Sequence, residues 1–195
     1  MNDPFGRHVD VPVERHGSRE SYRLQSVDAE SLFSSEDIAA VVGICNEPLV
    51  QRFLFRDRLG GRRYEEQDAR DFEDWARNGW VSCKHMVFLL RDPQGHIGAC
   101  VEVRGLDESG DALIGYWAGV HHRGVVTNAV ECLARLAKEA GYPKLVAVVD
   151  PENERSTGVL ERAGFSLVGS EERPVTFFDR PVGTSVRFLR YERAL

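Results

Sequence analysis

The second half of the chain alternates between strand-like and helix-like patterns, and this alternation constrains the fold more than any other feature. Residues 112–118 are mainly apolar, residues 125–140 place apolar side chains at helical spacing, and residues 145–149 form a continuous apolar run. A short helix is predicted over 153–163, closed by Gly164. Strands that alternate with amphipathic helices are typical of a sheet covered by helices.

The first half predicts a capped helix followed by antiparallel strands. Ser34 and the acidic residues after it offer N-cap chemistry for a helix that reaches Cys45 and stops before Pro48. Two apolar runs joined by a Pro/Gly turn predict a hairpin. We therefore predict an α/β fold with a mixed, mostly antiparallel central sheet and helices on both faces. The remaining predicted elements are a strand over 22–27, an acidic helix over 64–77, hairpin strands over 86–90 and 97–103, a turn at 107–110, and strands over 165–168 and 185–192.

The N-terminal segment differs from the rest of the chain. Residues 1–20 show little hydrophobic periodicity and mix both charge signs with glycine and proline, which predicts an N-terminal arm outside the core. Residues 21–195 are then predicted to form a single domain, because a chain of 195 residues can bury enough surface for one core.

Composition argues against several classes of protein. The 25 Lys and Arg residues against 31 Asp and Glu give a net charge of −6, which disfavours a nucleic-acid partner. No run approaches the roughly 18 apolar residues of a membrane span, so no membrane partner and a cytoplasmic location are expected. The cysteines form no C-x-x-C pair and are predicted to be reduced and to fill the core: Cys45, Cys83, Cys100 and Cys132.

The joint between residues 112–118 and the following helix predicts an anion site. The sequence runs from Ile114-Gly115-Tyr116-Trp117 through a glycine-containing loop directly into a helix that starts near Val125. Unpaired N–H groups and the helix dipole attract a diphosphate at such a position, and Arg123 adds a positive charge. A second polar segment, Asp150-Pro151-Glu152-Asn153, leaves the next strand, with Ser156 in the helix after it.

Together these two stretches resemble the GNAT superfamily of N-acetyltransferases, and most closely its RimJ/RimL-like branch. Members of that branch typically read IGYW, then R-G-x-G-[IV]-x-T-x-A-[VL], then D-P-x-N-x-x-S and G-F. The resemblance spans about residues 85–170 and implies a GNAT-like acyltransferase domain that uses acetyl-CoA, without a metal, to acetylate a primary amine. The acceptor would be a small-molecule amine or a protein N-terminus.

The resemblance also implies roles for individual residues. The pantetheine arm would lie between two splayed strands, and the loop before the helix would hold the diphosphate. Asn153 would bind the pantetheine or fix the bulge near it, and Ser156 would donate a proton to the departing thiolate. The cofactor-binding set implied in this way is Trp117, Ala118, Gly119, His122, Arg123, Gly124, Val125, Val126, Thr127 and Asn153.

This chain departs from the family pattern in three places. Its diphosphate loop is two residues shorter, and Leu160 stands where RimI-type enzymes carry a tyrosine acid. Leu113 stands where relatives often carry a glutamate base, which leaves Glu102 or Asp111, acting through water, as alternatives. Without that base an α-amine is the favoured acceptor, because its pKa is near 8 whereas that of a lysine is near 10.4.

Several of these residues, and the chain as a whole, allow a second interpretation. Ser156 can also be an ordinary first-turn residue, Tyr116 is assigned to sheet packing, and His121-His122 predicts a solvated loop without metal. The arginines Arg56, Arg58, Arg62 and Arg63 indicate either a solvated loop or recognition of an acidic substrate. The alternative function is a non-catalytic GNAT-fold module that binds CoA or serves in regulation, and a homodimer stays open.

Overall fold

One eight-stranded sheet organises the protein in the computed structural model, which describes residue 5 and residues 8–105, 112–175 and 184–195. The strand order is β1-β2-β3-β4-β5-β6-β8-β7, and only β5 and β6 pair in parallel. The predicted mixed, mostly antiparallel sheet is therefore confirmed. The strands are β1 Asp10–Glu14, β2 Ser21–Ser26, β3 His85–Arg91, β4 Ile97–Arg104, β5 Ala112–Ala118, β6 Lys144–Val149, β7 Ser166–Pro174 and β8 Ser185–Ala194.

Helices cover both faces of this sheet. On one face, α5 and α6 pack against buried residues such as Val101 and Leu145, and on the other, α1 and α4 pack against Val87 and Leu89. Alternate residues of the central strands thus serve two separate cores, as a pleated strand requires. The helices are α1 Ser35–Cys45, α2 Pro48–Val50, a π-helical turn Gln51–Phe55, α3 Arg56–Leu59, α4 Glu66–Ser82, a 3₁₀ turn Val120–His122, α5 Val126–Glu139 and α6 Glu154–Arg162.

The predicted start of α1 is confirmed in atomic detail. Ser34 accepts a hydrogen bond from the N–H of Asp37, whose carboxylate in turn accepts from the N–H of Ser34. This reciprocal capping box satisfies two backbone groups that a bare helix end leaves unpaired. Asp37 also pairs with Arg91 of β3 (2.5 Å), which fixes the helix to the sheet.

The prediction that residues 1–20 lie outside the core is wrong for residues 9–14. Residues 10–14 form β1, which pairs with β2, and Val9 and Val13 are buried. Phe5 contacts Trp80 and Phe88. The apolar side chains alternate in this segment, as expected for an edge strand with one buried face.

Helix α4 and strand β7 extend well beyond their predicted ends, and the position of β8 was not predicted. Helix α4 runs on to Ser82 because Trp80 is buried and donates its indole N–H to the carbonyl of Val87. Strand β7 is longer than predicted, and β8 inserts between β6 and β7. The predicted turn at 107–110 and the candidate base Asp111 lie outside the described residues.

Among the described residues, no single helix is both long and apolar enough to cross a membrane. Ser35–Cys45 and Pro48–Leu59 reach the required length and apolar composition only when taken together, and a bend of 68° separates them. The apolar side of the first of these helices packs in the core through Ile38, Val41 and Cys45.

Candidate functional site at the end of strand β5

Strands β5 and β6 pair at their beginnings and then diverge. Only Ala112 and Leu113 have partners on β6, whereas β5 pairs with β4 along residues 113–118. From residue 114 onward, one edge of β5 therefore faces a gap. The sequence resemblance predicts such a splay at this position.

The backbone of β5 turns alternate residues toward that gap. The N–H of Gly119 donates to the carbonyl of Gly98 (3.0 Å), so Gly119 and Trp117 direct their main-chain groups toward β4. By the same alternation, the main-chain groups of Ala118 and Tyr116 point into the gap. Of the three residues expected to contact pantetheine through their backbone, Ala118 is the one that offers free groups, and Tyr116 is a residue the sequence patterns did not indicate.

The loop between β5 and α5 ends in a helix start that no side chain caps. A 3₁₀ turn at Val120–His122 is closed by the N–H of His122 donating to Gly119, and Gly124 follows with φ +90°. Val125, the N-cap residue, supplies no side-chain oxygen. Among the described residues no acceptor is found for the N–H groups of residues 124–127. Val125 and Val126 are buried and fix this end of α5 in the core, while its amides remain free for an anion.

His122 is packed rather than solvated, contrary to the prediction for this loop. Its Nδ1 lies 3.0 Å from the hydroxyl of Tyr22, and its ring lies so close to Gly98 that a Cβ there would overlap it. Burial lowers the pKa of this imidazole, so it is neutral at pH 7. The described residues also hold no cluster of three or more metal-ligating side chains.

Glu47 attaches the first helices to the same loop. Both of its carboxylate oxygens lie 2.9 Å from the N–H of Val120, the first residue of the 3₁₀ turn. The charge-assisted contact holds the end of β5 against the α1–α2 junction. The segment between Asn46 and Pro48 therefore anchors the loop that follows β5.

Ser156 lies at the start of α6 and contacts a tyrosine from β5. Asn153 is the N-cap of this helix, and its Oδ1 accepts the N–H of Ser156 (3.2 Å). The Ser156 hydroxyl lies 2.7 Å from the hydroxyl of Tyr116. Burial raises the pKa of Tyr116 to about 12, so its hydroxyl keeps its proton near neutral pH. The structure thus joins Ser156 to Tyr116, which sequence reasoning had assigned to sheet packing alone.

On the face of the sheet that α1 and α4 cover, β5 is lined by aromatic side chains and one carboxylate. Trp117 packs edge-on against Phe72 of α4, with ring centroids 6.1 Å apart. Glu102 lies on the same face of the sheet beside Gly115, and its Oε1 accepts from Arg104 at 2.7 and 2.9 Å. The candidate base Glu102 is therefore present on this face, with one of its oxygens already paired.

Within the arginine loop, Arg62 forms a defined ion pair although about half of its side chain is exposed. The Arg62 guanidinium donates two hydrogen bonds to the carboxylate of Asp68 in α4, at 2.6 and 2.7 Å. The same carboxylate accepts the backbone N–H of Glu65, the N-cap residue of α4. Arg58 and Arg63 are exposed. The Arg62 guanidinium holds the pKa of Asp68 at about 2, below its usual value of 3.8. Arg62 therefore serves first to hold the start of α4.

We expect Arg62→Ala to lower the free energy of unfolding by about 1 kcal/mol at pH 7, because half of the Arg62 side chain is in water. A carboxyl with a lowered pKa stabilises the fold above its unfolded pKa and loses that effect as the pH falls from about 4 to 2. Urea unfolding at several pH values should therefore show a shallower acid loss in the variant. Arg63→Ala, at the exposed neighbour, is the control, and equal effects of both variants would contradict this role.

Comparisons with known proteins assign the family. Residues 31–166 match the acetyltransferase (GNAT) domain family, so the chain belongs to that family. No match in sequence is found among curated proteins. The family predicted from the two sequence stretches is confirmed.

Solved structures with the same fold include several acetyltransferases. Mycobacterium smegmatis RimJ in complex with CoA-disulfide has a TM-score of 0.76 at 17% identity, covering 100% of this chain and 90% of that one. The ribosomal L7/L12 alpha-N-protein acetyltransferase RimL has a TM-score of 0.71 at 15% identity, with 95% of each chain covered. The microcin C7 self-immunity acetyltransferase MccE, in complex with acetyl-CoA and AMP, has a TM-score of 0.59 at 22% identity, covering 68% and 73% of the two chains.

Proposed function

We propose that this protein transfers the acetyl group of acetyl-CoA to a primary amine by direct attack of the amine on the thioester. One observation carries the proposal: the uncapped start of α5, with free amides at residues 124–127, lies directly beyond the strand that borders the β5–β6 gap. A diphosphate at the amides and an extended pantetheine arm in the gap would use both features together.

The gap offers the pantetheine arm a place as an added strand. Its two amides can exchange hydrogen bonds with the main-chain groups of Ala118 and Tyr116, which have no partner on β6. Such contacts hold the donor in register along β5. The thioester is thereby aligned at the inner end of the arm, which favours attack without any covalent enzyme intermediate.

Departure of the thiolate is assisted by Ser156 in this proposal. The Tyr116 hydroxyl lies 2.7 Å from the Ser156 hydroxyl and also donates to the Ser156 carbonyl at 3.1 Å. In this proposal its proton turns to the Ser156 oxygen when that hydroxyl donates to the sulfur, and this holds the serine in orientation. Asn153 fixes the backbone of Ser156 from the other side. The three residues form a short chain of hydrogen bonds in which Ser156 would act as the acid.

Tyr116→Phe should lower kcat about three- to thirtyfold, since the substitution removes the donor behind Ser156 but not the acid itself. Acetyl-CoA affinity should change little, because the Tyr116 main chain is retained. The measurement is steady-state CoA release by the single variants and by the double variant with Ser156→Ala. We expect the double variant to be no slower than Ser156→Ala alone, and additive losses would contradict the relay.

The acceptor is proposed to be an α-amine, including a protein N-terminus. Glu102 lies on the same face of the sheet as Trp117, and its pairing with Arg104 limits it as a base. An amine with a pKa near 8 is partly neutral at pH 7 and needs little help. The likeness in fold to RimL, which acts on the α-amine of a ribosomal protein, supports the same acceptor class.

The test combines donor binding with an acceptor screen. Calorimetric titration with acetyl-CoA should give a saturable site, and CoA release should then be measured with peptides bearing free N-termini, Nα-blocked lysine peptides and small amines. We expect free N-termini to react fastest, with kcat/KM rising with pH toward a plateau above about 8. Acetyl-CoA binding without CoA release from any amine would instead favour the non-catalytic module.

A further inference from the structure

The tip of the β1–β2 hairpin reaches the loop that precedes α5. Arg15 donates from Nε to the carbonyl of Arg123 (2.9 Å) and from Nη2 to the carbonyl of His121 (3.0 Å). The N–H of His16 donates to the carbonyl of Gly124 (2.9 Å). Three of four consecutive loop carbonyls are thus held by residues more than 100 positions away in the sequence.

These contacts determine where the loop amides point. In a trans peptide the N–H of one residue is antiparallel to the carbonyl of the residue before it. Because the carbonyls of Arg123 and Gly124 point at the hairpin, the N–H groups of Gly124 and Val125 point away from it. Those are two of the free amides proposed to bind the diphosphate.

Arg15 is itself held in place by Glu20, through both its side chain and its main chain. Its Nη1 lies 2.8 Å from Glu20 Oε2, and its own N–H donates to the carbonyl of Glu20. The side-chain amide of Asn128, in the first turn of α5, donates to the carbonyl of Glu14 (2.8 Å). The hairpin tip, the loop and the helix start therefore form one connected unit.

We propose that Arg15 is a positioning residue for diphosphate binding: it orients the peptide units at residues 123–125 so that their amides converge on the anion. The inference rests on the proposed use of acetyl-CoA. The guanidinium also places a positive charge behind these peptide units, which strengthens their N–H groups as donors to a dianion. A bidentate fork spanning two carbonyls suits arginine better than lysine.

The test compares two donors that differ only in the part that the loop would hold. Arg15→Ala should raise the KM and Kd for acetyl-CoA about tenfold at unchanged saturating kcat, because the loop amides lose their fixed orientation. With acetyl-pantetheine, which lacks the diphosphate and the nucleotide, kcat/KM should equal that of the unsubstituted protein. Arg15→Lys should recover part of the acetyl-CoA affinity.

Arg23→Ala is the matched control, since Arg23 lies on the same hairpin and pairs with Asp10 away from the loop. It should leave both donors unaffected. Unchanged acetyl-CoA affinity in Arg15→Ala, or equal losses with both donors, would overturn the inference. Should Arg15→Ala not fold, Glu20→Gln loosens Arg15 from one side and must show a smaller loss confined to acetyl-CoA. Failure of the unsubstituted protein to bind acetyl-CoA would instead overturn the proposed function.

Discussion

Replacing Gly124 with valine should raise the dissociation constant for acetyl-CoA about ten- to hundredfold. Gly124 has φ +90°, a conformation that costs a β-branched residue about 1–3 kcal/mol, so the loop would relax to another backbone path. The amides of Gly124 and Val125 would then lose their alignment, and a hydrogen bond to a charged group contributes about 1.5–3 kcal/mol. Isothermal titration calorimetry with acetyl-CoA measures the change.

The cause of this loss is the backbone rather than crowding of the ligand. A Cβ at position 124 would lie 3.5 Å from the carbonyl oxygen of His16 and 3.6 Å from Arg15, on the hairpin side of the loop. Gly141→Val is the control, because Gly141 has φ +87° at the other end of α5 with open space around it. We expect it to lower stability without changing acetyl-CoA affinity. A folded Gly124→Val protein with unchanged affinity would show that the diphosphate does not bind here.

Removing the Ser156 hydroxyl should lower kcat by about 10²-fold at unchanged acetyl-CoA affinity. A positioned general acid typically contributes about 10²–10⁴-fold, and a thiolate is a far better leaving group than an alkoxide and leaves tolerably well unaided, so the lower end is expected. The lost interaction grows only as negative charge develops on sulfur, which is why kcat falls rather than binding. Ser156→Ala should be assayed with the fastest acceptor at saturating acetyl-CoA.

Thr157→Val provides the comparison within the same helical turn. The Thr157 hydroxyl donates to the carbonyl of Glu154 and, within the described part of the chain, makes no hydrogen bond to Tyr116, so its loss should leave kcat within about twofold. Equal turnover by Ser156→Ala and the unsubstituted protein would reduce Ser156 to a first-turn helix residue. The thiolate would then leave without assistance from this side chain.

Elements governed by local signals could be predicted from the sequence. The capping chemistry at Ser34, the Pro/Gly turn between β3 and β4 and the helical spacing after Val125 each depend on neighbouring residues, and each feature occurs where it was expected. The family resemblance rested on stretches of the same local kind. Local patterns therefore predicted the sheet, and the resemblance that they carry predicted the gap beside β5.

Features that depend on distant contacts could not be predicted in this way. Strand β1 is short, contains Pro12 and lies at the sheet edge, so its alternating valines gave a weak signal. The insertion of β8 between β6 and β7 depends on pairing that no local pattern encodes. The hydroxyl contact of Tyr116 with Ser156 and the contacts of Arg15 with the loop join residues 40 and more than 100 positions apart.

The close packing of His122 on Gly98 limits how this loop can evolve. The imidazole occupies the space that a side chain at position 98 would need, and it meets the Tyr22 hydroxyl beyond. A larger residue at 98 is therefore compatible with the present strand spacing only when residue 122 becomes smaller or turns outward. A larger residue at position 98 alone would overlap the imidazole, so we expect it only together with a change at position 122, and the two positions should change as a pair.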